Sequence, residues 1–249
     1  MSFLKRFQSV LESLYRLPVK SKYVIAYSGG VDSHVLLFCC AKLKVPLRAV
    51  HVHHGLQSVA DEWVEHCKKN CEQLGVHLDI VYVDAAQKKS KSPEEAARDA
   101  RYQALSDSLQ EGDCLITAQH QNDQAETILL QLFRTASTAG LSAMPDKKLI
   151  GEHVQIRPLL SFSRMELVSF AQENNLQWIE DPSNQELEFD RNYVRSEILP
   201  RLTKRWPAMV AQLATVAELQ SNNLNVLEDM AAIDLANAIV ELDFQSIYC

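Results

Sequence analysis

The sequence predicts an α/β fold in which a Rossmann-like parallel sheet carries helices on both faces and is followed by a small helical region. Two observations carry this prediction. Up to Gly140, short apolar segments alternate with helical segments, an order typical of β-α-β units whose strands pair in parallel. Beyond Gly140 the alternation stops, and residues 208–240 form an uninterrupted helical pattern rich in Ala and Leu.

Four strands and the helices between them follow from the apolar pattern. The strands are expected at Tyr23–Tyr27, Leu47–His53, His77–Val83 and Cys114–Ala118. Helices are expected through Leu36–Lys44, over Val59–Leu74, from Pro93 onward and over Asp123–Arg134. After Gly140 the pattern predicts an exposed loop over 141–153, a strand through Val154–Ile156, a helix over about Ser163–Asn174 and helical structure from Arg191. Ligands of parallel sheets bind at the carboxyl ends of the strands, so we expect the functional residues there.

The composition is that of an ordinary folded protein, with a net charge of −7, 47% apolar residues and 23% charged residues. The longest apolar run, Val35–Ala41, is far shorter than the roughly 20 residues that a membrane helix needs, and residues 1–25 lack a signal-peptide core. The sequence therefore predicts a cytoplasmic protein without a membrane partner. Its six cysteines show no CxxC spacing, so we expect buried free thiols rather than a metal or redox site.

The segment Ser28–Ser33 has the pattern of a phosphate-binding loop. It follows a predicted strand, opens a predicted helix, and holds two of only seven glycines in the chain. Adjacent glycines let backbone N–H groups close around an anion at a helix N-terminus, but the Gly-Lys-Ser/Thr of a Walker A loop is missing. A carboxylate among phosphates needs a cation, so Asp32 predicts Mg²⁺ held partly by phosphate oxygens. The alternative interpretation is a tight strand-to-helix turn capped by Asp32 or Ser33.

This loop resembles the SGGxDS loop of the N-type ATP pyrophosphatases, and further segments resemble one family of that superfamily, the tRNA(Ile)-lysidine synthetases. The first three of these segments are similar to the family's HVxHGL, ARxxRY and TAxHxxDQxET motifs. All the matching segments together span roughly residues 23–207. They are His51–Leu56, Ala97–Tyr102, Thr117–Thr127, Arg157–Leu160, Trp178–Asn184, Arg191–Asn192 and Ile198–Pro200. The resemblance implies an adenine nucleotide alpha hydrolase-like fold. Its catalytic domain would occupy 1–207, and 208–249 would begin a C-terminal region whose remaining domains are absent.

The resemblance also implies a ligase that modifies the wobble cytidine in the CAU anticodon of an isoleucine tRNA. ATP adenylates the C2 carbonyl oxygen of that base, and the amine of free L-lysine then displaces AMP. ATP and Mg²⁺ are the implied cofactors, while the tRNA and L-lysine are the implied partners. The implied nucleotide site consists of Ser28, Gly29, Gly30, Val31, Asp32, Ser33, His54 and Gly55. The oligomeric state stays open, a homodimer included.

Three further side chains are candidates for the lysine site and, with Asp32, for catalysis. Asp123 and Glu126 are three residues apart at a helix start and hence on one face, and the family pattern implies that they meet the lysine ammonium groups. Compensation of the helix dipole is the alternative explanation. Arg101 is favoured over Arg98 as the partner of the lysine carboxylate or of the ATP phosphates, because no acid precedes it by four residues. An ordinary surface ion pair is the alternative for either arginine.

A basic strip near residue 207 is a candidate contact for tRNA phosphates. It consists of Arg191, Arg195, Arg201, Lys204 and Arg205, with Glu197 among them. A solvated charged face is the alternative. Residues 208–249 contain six acidic residues and no Lys or Arg, so the negative net charge of the chain does not argue against a nucleic-acid partner.

Two patterns qualify this interpretation. His51, His53, His54 and His120 make a poor zinc site, because strand alternation places His54 opposite the first two and no cysteine is near. Thr135 and Ser137 occupy positions that are glycine in the family's RGxGxxGL pattern, which leaves the role of that loop open.

Two rival functions remain at this point. A tRNA thiolase of the same superfamily would use the same ATP loop, but such enzymes need cysteines placed for persulfide or cluster chemistry, and CxxC is missing here. A nucleotide-binding module that senses rather than catalyses would not require Asp32, Asp123 and Glu126.

Overall fold

The computed structural model describes residues 1–53, 60–83, 93–134, 136–182 and 186–247. The chain divides into two compact units. The sheet unit comprises Met1–Asp123 and Asp146–Glu186, and the helical unit comprises Gln124–Pro145 and Leu187–Cys249. Segments distant in the sequence therefore build each unit. The domain boundary predicted at residue 207 is based on sequence motifs along the chain. The two units of the structure are instead defined by which residues contact one another in space.

The sheet unit is built on six strands in the order β3-β2-β1-β4-β6-β5. They are β1 (Tyr23–Ala26), β2 (Leu47–His53), β3 (Leu78–Tyr82), β4 (Cys114–Ile116), β5 (Lys147–Ile150) and β6 (His153–Ile156). All neighbouring pairs are parallel except β5 and β6. The predicted Rossmann-like parallel sheet is confirmed, and all four strands expected before Gly140 form.

Strand β5 lies where the sequence predicts an exposed loop over 141–153, and that part of the prediction is wrong. Lys147–Ile150 pairs antiparallel with β6 through a turn at Gly151 and Glu152. Gly151 has a φ of +58°, a conformation that glycine adopts without strain and that two-residue hairpins require. The first three residues of β5 are exposed, so no alternation of apolar residues marks this edge strand in the sequence.

Ten α-helices accompany the strands in the described parts of the chain. They are α1 (Phe3–Leu14), α2 (Val31–Lys42), α3 (Ala60–Leu74), α4 (Pro93–Asp107), α5 (Gln121–Phe133), α6 (Thr138–Leu141), α7 (Arg164–Glu173), α8 (Asp190–Tyr193), α9 (Leu199–Arg205) and α10 (Met209–Ile247). A π-helical turn, Val194–Ile198, joins α8 to α9. The helices expected between the strands all form. Helix α1 is missing from the sequence-based prediction, although its amphipathic pattern buries Phe7 and Leu11.

Alternate side chains of the central strand face two separate apolar cores. Tyr23 and Ile25 belong to the core that also holds buried residues of α1, α2, α3 and α7. Val24 belongs to the other core, together with Leu115 of β4 and Leu105 of α4. Helices therefore cover both faces of the sheet, as predicted, and α2 packs on the opposite face from α4.

The helical unit has a small core of its own. It combines Ile128 and Leu129 of α5 with Val194 of the π-helical turn, Leu199 of α9 and Leu213 of α10. The helical pattern predicted over 208–240 is confirmed by α10. Among the helices in the described ranges, none is long and apolar enough to cross a membrane.

The cysteines are the buried free thiols that their sequence context predicts. Cys39, Cys40, Cys67, Cys71 and Cys114 are buried and unpaired with one another, while Cys249 lies outside the described residues. Burial raises the pKa of Cys40, Cys67, Cys71 and Cys114 to about 12. These sulfurs are therefore protonated at neutral pH, and a thiol is a poor nucleophile.

Two buried histidines make the stability of the sheet unit depend on pH. Burial lowers the pKa of His34 and of His51 below the ordinary 6.5, although each bonds a backbone carbonyl, at Gln177 and Tyr27 respectively. The unfolded chain takes up these protons first, so the free energy of unfolding should fall as pH drops below 6.5. The slope approaches about 1.4 kcal/mol per pH unit for each histidine only below 6.5, down to its lowered folded-state pKa. Urea unfolding between about pH 7.5 and about pH 5.5 measures this slope. His34→Asn, which keeps a donor for the Gln177 carbonyl, should have a smaller slope, and an unchanged slope would contradict the assignment.

Candidate nucleotide-binding and catalytic site

The Ser28–Ser33 loop joins β1 to α2 and leaves the first turn of α2 open to an anion. Gly30 is the N-cap residue of α2 and makes no side-chain cap, so the amides of the first turn are left for a ligand. The Ser33 hydroxyl accepts from the Ser28 amide at 3.2 Å and donates to the Gly30 carbonyl at 3.0 Å. The loop is thus a tight turn whose own hydrogen bonds hold the shape that a phosphate loop needs.

Gly29 has a backbone that a side chain would disturb. Its φ is +85°, and a Cβ added there would lie 3.0 Å from the Cys67 sulfur. Its carbonyl accepts a hydrogen bond from the Ile179 amide at 3.0 Å. The loop is therefore packed tightly against α3 and tied to the segment after α7, and glycine is required at this position for both conformation and space.

Asp32 lies in the first turn of α2 with an unsatisfied oxygen. Among the described residues, its Oδ1 is buried and has no hydrogen-bond partner, while Oδ2 lies 3.5 Å from His120 Nε2. Buried polar atoms without a partner call for an explanation, and a hard cation such as Mg²⁺ prefers carboxylate oxygen. The residues present therefore fit the cation that the sequence predicts at this position.

His120 and Asp123 cap the start of α5 reciprocally. The His120 amide donates to Asp123 Oδ2 at 2.9 Å, and the Asp123 amide donates to His120 Nδ1 at 3.4 Å, the exchange seen in a capping box. Because Nδ1 accepts this bond, a neutral His120 carries its proton on Nε2, which faces Asp32. His120, only 2% exposed, thus links Asp32 to Asp123. The structure thus gives His120 the role of a helix cap.

Arg101 extends from α4 toward the carboxyl edge of the sheet. Its side chain is exposed, and it lies within electrostatic range of His51 and Asp181. His51 lies two residues before the end of β2 and bonds the Tyr27 carbonyl through Nδ1 at 2.9 Å. His54 and Gly55, which the sequence assigns to the nucleotide site, lie outside the described residues.

Glu126 forms a buried ion-pair cluster within the helical unit. Its carboxylate is 1% exposed, and it accepts from Arg195 Nε at 2.7 Å and from the terminal nitrogen Nη2 of the same residue at 3.0 Å. Arg191 Nε donates to the same carboxylate at 2.8 Å. Two members of the predicted tRNA-binding strip are therefore bound to a predicted lysine-binding residue. Sequence reasoning missed this pairing, although the i,i+4 spacing of the two arginines places them on one helix face.

The remaining members of the basic strip are exposed. Arg201 is 79% exposed in its side chain and pairs with Glu197 at 2.8 Å. Lys204 and Arg205 are also exposed, and the Arg205 guanidinium lies 5.8 Å from the ring centre of Trp206. These three exposed side chains are accessible to an extended polyanion.

Ser137 takes the place of a family glycine without distorting the chain. It is the N-cap residue of α6, and its hydroxyl accepts from the Gly140 amide at 3.3 Å. Serine is a favoured N-cap residue, so the substitution stabilises the turn that it enters. Thr135, the other departure, lies outside the described residues.

In the parts of the chain that the structure describes, no three His, Cys, Asp or Glu side chains are grouped to hold a metal ion.

A match to a protein-family model covers most of this geometry. Residues 3–202 match the model described as a PP-loop domain, an ATP-binding family. This chain belongs to the PP-loop domain family. The phosphate loop, Asp32 and the His120–Asp123 cap all lie inside the matched region of this PP-loop protein.

Two relatives with similar sequences carry the same name. The PP-loop chain is 45% identical over 234 residues to a tRNA(Ile)-lysidine synthase of Pseudomonas syringae, a match that covers 92% of this chain and 52% of the relative. It is 48% identical over 218 residues to a tRNA(Ile)-lysidine synthase of Pseudomonas aeruginosa, covering 86% and 49% respectively. The chain thus spans about half the length of the curated relatives it matches.

Solved structures share the fold at low sequence identity. The U34-tRNA thiolase NcsA from Methanococcus maripaludis matches with a TM-score of 0.70 at 19% identity, over 87% of this chain and 79% of that one. The NMN synthetase from Francisella tularensis matches with a TM-score of 0.52 at 12% identity, over 90% and 95%. These similarities confirm the adenine nucleotide alpha hydrolase-like fold and carry no further argument.

Substituting Gly29 should impair ATP binding more than substituting a comparable glycine elsewhere. Gly75 also has a positive φ, +66°, but a Cβ there would meet nothing within 4 Å. Both alanine variants force a residue into the left-handed region, at about 1–2 kcal/mol, but only Gly29→Ala also displaces the phosphate loop. We expect isothermal titration calorimetry to show at least a tenfold loss of ATP affinity, about 1.4 kcal/mol, for Gly29→Ala alone. Equal losses in both variants would contradict this.

Removing one arginine from Glu126 should destabilise the helical unit. Arg195→Ala takes a bidentate partner from a buried carboxylate, which costs about 3 kcal/mol of unfolding free energy. Arg201→Ala is the matched control, since its exposed pair with Glu197 is worth less than about 1 kcal/mol. Chemical unfolding of the two variants makes the comparison, and similar losses would show that the Glu126 cluster is not important for stability.

Proposed function

We propose that this chain is the ATP-using part of a ligase that converts the wobble cytidine of the CAU anticodon of tRNA(Ile) to lysidine. The observation that carries the proposal is the identity of about 45% over some 90% of the chain to proteins named tRNA(Ile)-lysidine synthase. ATP, L-lysine and the tRNA are the proposed substrates, Mg²⁺ is the proposed cation, and the cytoplasm is the proposed compartment.

The reaction needs two steps that a phosphate-binding sheet edge can serve. The C2 carbonyl oxygen of cytidine attacks the α-phosphorus of ATP, and the bond to pyrophosphate breaks. The lysine amine then forms a bond to C2, and the bond from C2 to oxygen breaks as AMP leaves with that oxygen. The first-turn amides of α2 would hold the departing pyrophosphate, since a helix N-terminus with free donors stabilises developing phosphate charge.

The carboxylates of the sheet unit have separate roles in this proposal. Asp32 would hold Mg²⁺ through Oδ1, and the cation would supply charge neutralisation for the phosphates. Asp123 would receive a lysine ammonium group while His120 fixes its orientation through the reciprocal cap. Arg101, exposed at the same edge, would pair with the lysine carboxylate or an ATP phosphate, for which a guanidinium fork is suited.

The arginines of the helical unit divide into two groups in this proposal. Arg201, Lys204 and Arg205 would contact tRNA phosphates. Arg191 and Arg195 are ion-paired with Glu126. A phosphate bound by either arginine would therefore lie next to the Glu126 carboxylate. The role of Glu126 toward lysine stays a sequence-based prediction, since its carboxylate is 1% exposed and bound by these two arginines.

The rival functions are less well supported. A thiolase shares the fold, but the five described cysteines are buried, and burial raises the pKa of four of them to about 12. Such thiols do not suit sulfur transfer. A sensing module would have no need for the linked carboxylates Asp32 and Asp123.

The test is incorporation of labelled lysine into a tRNA(Ile) transcript with a CAU anticodon by the full-length protein with ATP. Asp123→Asn is the informative variant, because its amide oxygen can still accept from the His120 amide while the negative charge is gone. We expect at least a hundredfold loss of incorporation, about 2.7 kcal/mol, with ATP affinity within about twofold of wild type. No incorporation by the wild-type protein would overturn the proposed function. Loss of ATP affinity in Asp123→Asn would overturn only the role of Asp123.

A further inference from the structure

Three cationic side chains surround one tyrosine at the β5 edge of the sheet unit. The Arg98 guanidinium carbon of α4 lies 5.0 Å from the ring centre of Tyr102, and Lys148 Nζ of β5 lies 5.5 Å from it. Arg157, directly after β6, is hydrogen-bonded to the Tyr102 side chain. We call Arg98, Tyr102, Lys148 and Arg157 the Tyr102 cluster. The proposed function assigns it no role.

The inner side of the Tyr102 cluster is buried and hydrogen-bonded. Arg157 is 3% exposed and Gln155 is fully buried. Gln155 Nε2 donates to Thr117 Oγ1 at 2.8 Å, and the Gln155 side chain also bonds that of Tyr102. Arg98 and Lys148, in contrast, are exposed. The Tyr102 cluster therefore has a buried, hydrogen-bonded side at Arg157 and a solvent-exposed side at Arg98 and Lys148.

Electrostatics in the Tyr102 cluster favour a negative ligand. Burial lowers the pKa of Lys148, and the positive charges of Arg157 and Arg98 lower it further. Burial and Arg98 also lower the pKa of Arg157, while Tyr102 and the Asp146 carboxylate raise it in part. Burial would raise the pKa of Tyr102, but Arg98 and Arg157 outweigh it and hold that pKa below its ordinary value. Cations that repel one another at a partly dry site are stabilised by an added anion.

The Tyr102 cluster shares no residue with the proposed ATP site, although Arg101 of that site lies on the same helix, α4. The phosphate loop opens α2, which packs on one face of the sheet, and α4 packs on the other. The cluster also lies along an edge strand, where an extended ligand can pass. Exposed cations beside an aromatic ring are the combination with which proteins hold the backbone of single-stranded RNA and stack its bases.

We propose that the Tyr102 cluster binds a backbone phosphate of the RNA substrate, with Lys148 and Arg98 as the contacting cations. This inference rests on the proposed function for the identity of the RNA. The alternative role is that lysines on an edge strand prevent strand pairing between molecules. Lys147 separates the two roles. It is the neighbouring exposed residue of the same edge strand, but its Nζ lies over Tyr15 of the segment after α1, 5.3 Å from that ring centre.

The experiment compares Lys148→Ala with Lys147→Ala in the full-length protein. Fluorescence anisotropy measures binding of a labelled tRNA(Ile) transcript over a range of salt concentrations. Loss of one phosphate contact should reduce the slope of log K against log salt by about 0.7–0.9 and weaken binding several-fold at low salt. We expect this for Lys148→Ala, together with a raised KM for tRNA and an unchanged KM for ATP. Lys147→Ala should bind as the wild type does.

Other results would overturn the proposed phosphate contact. Equal effects of the two substitutions, or aggregation of both, would overturn the proposal in favour of edge protection. A raised KM for ATP in Lys148→Ala, or displacement of tRNA by inorganic phosphate at constant ionic strength, would assign the cluster to a small anion instead. Arg98→Gln serves as a second variant and should reduce the salt slope as Lys148→Ala does. If the wild type binds tRNA but incorporates no lysine, the proposed function fails while the salt slopes still test the cluster.

Discussion

Parallel pairing of β1, β2, β3, β4 and β6 places the chain that follows each strand at one edge of the sheet. The loop Ser28–Ser33 follows β1, His120 follows β4 and Arg157 follows β6. None of these segments is close to the others in sequence, and direction alone brings them to the same edge. Among the described residues at this edge, Asp32 Oδ1 is a buried oxygen without a hydrogen-bond partner. Strand direction thus brings the phosphate loop, His120 and Arg157 of the Tyr102 cluster to the same edge of the sheet.

The parts of this structure that the sequence predicts are those that local pattern encodes. The four early strands, their helices and the glycine turn before α2 each carry an apolar period or a conformational requirement that is visible in neighbouring residues. Strand β5 has neither, because its pairing depends on a hairpin partner and its side chains face solvent. Helix α1 has the pattern, but it stands outside the β-α alternation from which the other elements follow.

In the candidate site too, the sequence predicts some features and misses others. Residue types and spacing suffice to select Asp32, Asp123 and Glu126, but not to find their partners, because those partners come from distant segments. Arg195 is 69 residues from Glu126, and nothing in either neighbourhood indicates the pair. His120 is an intermediate case, since its partner Asp123 is local and the reciprocal cap is visible in the spacing. Its approach to Asp32 at 3.5 Å depends on the parallel order of β1 and β4 and could not be found in the sequence.

The sulfur of Cys67 occupies an unusual position, between Gly29 of the phosphate loop and the imidazole of His51, whose Nδ1 lies 3.6 Å away. A thiol is small, and burial keeps this one protonated and inert. Its value here is its size. A longer side chain on α3 would push the end of β2 and the phosphate loop apart at once, whereas serine would fit. Residue 67 touches no substrate in the proposed reaction, yet its volume sets the spacing of two segments that do the binding. This interior helix position should therefore accept only side chains no larger than that of cysteine.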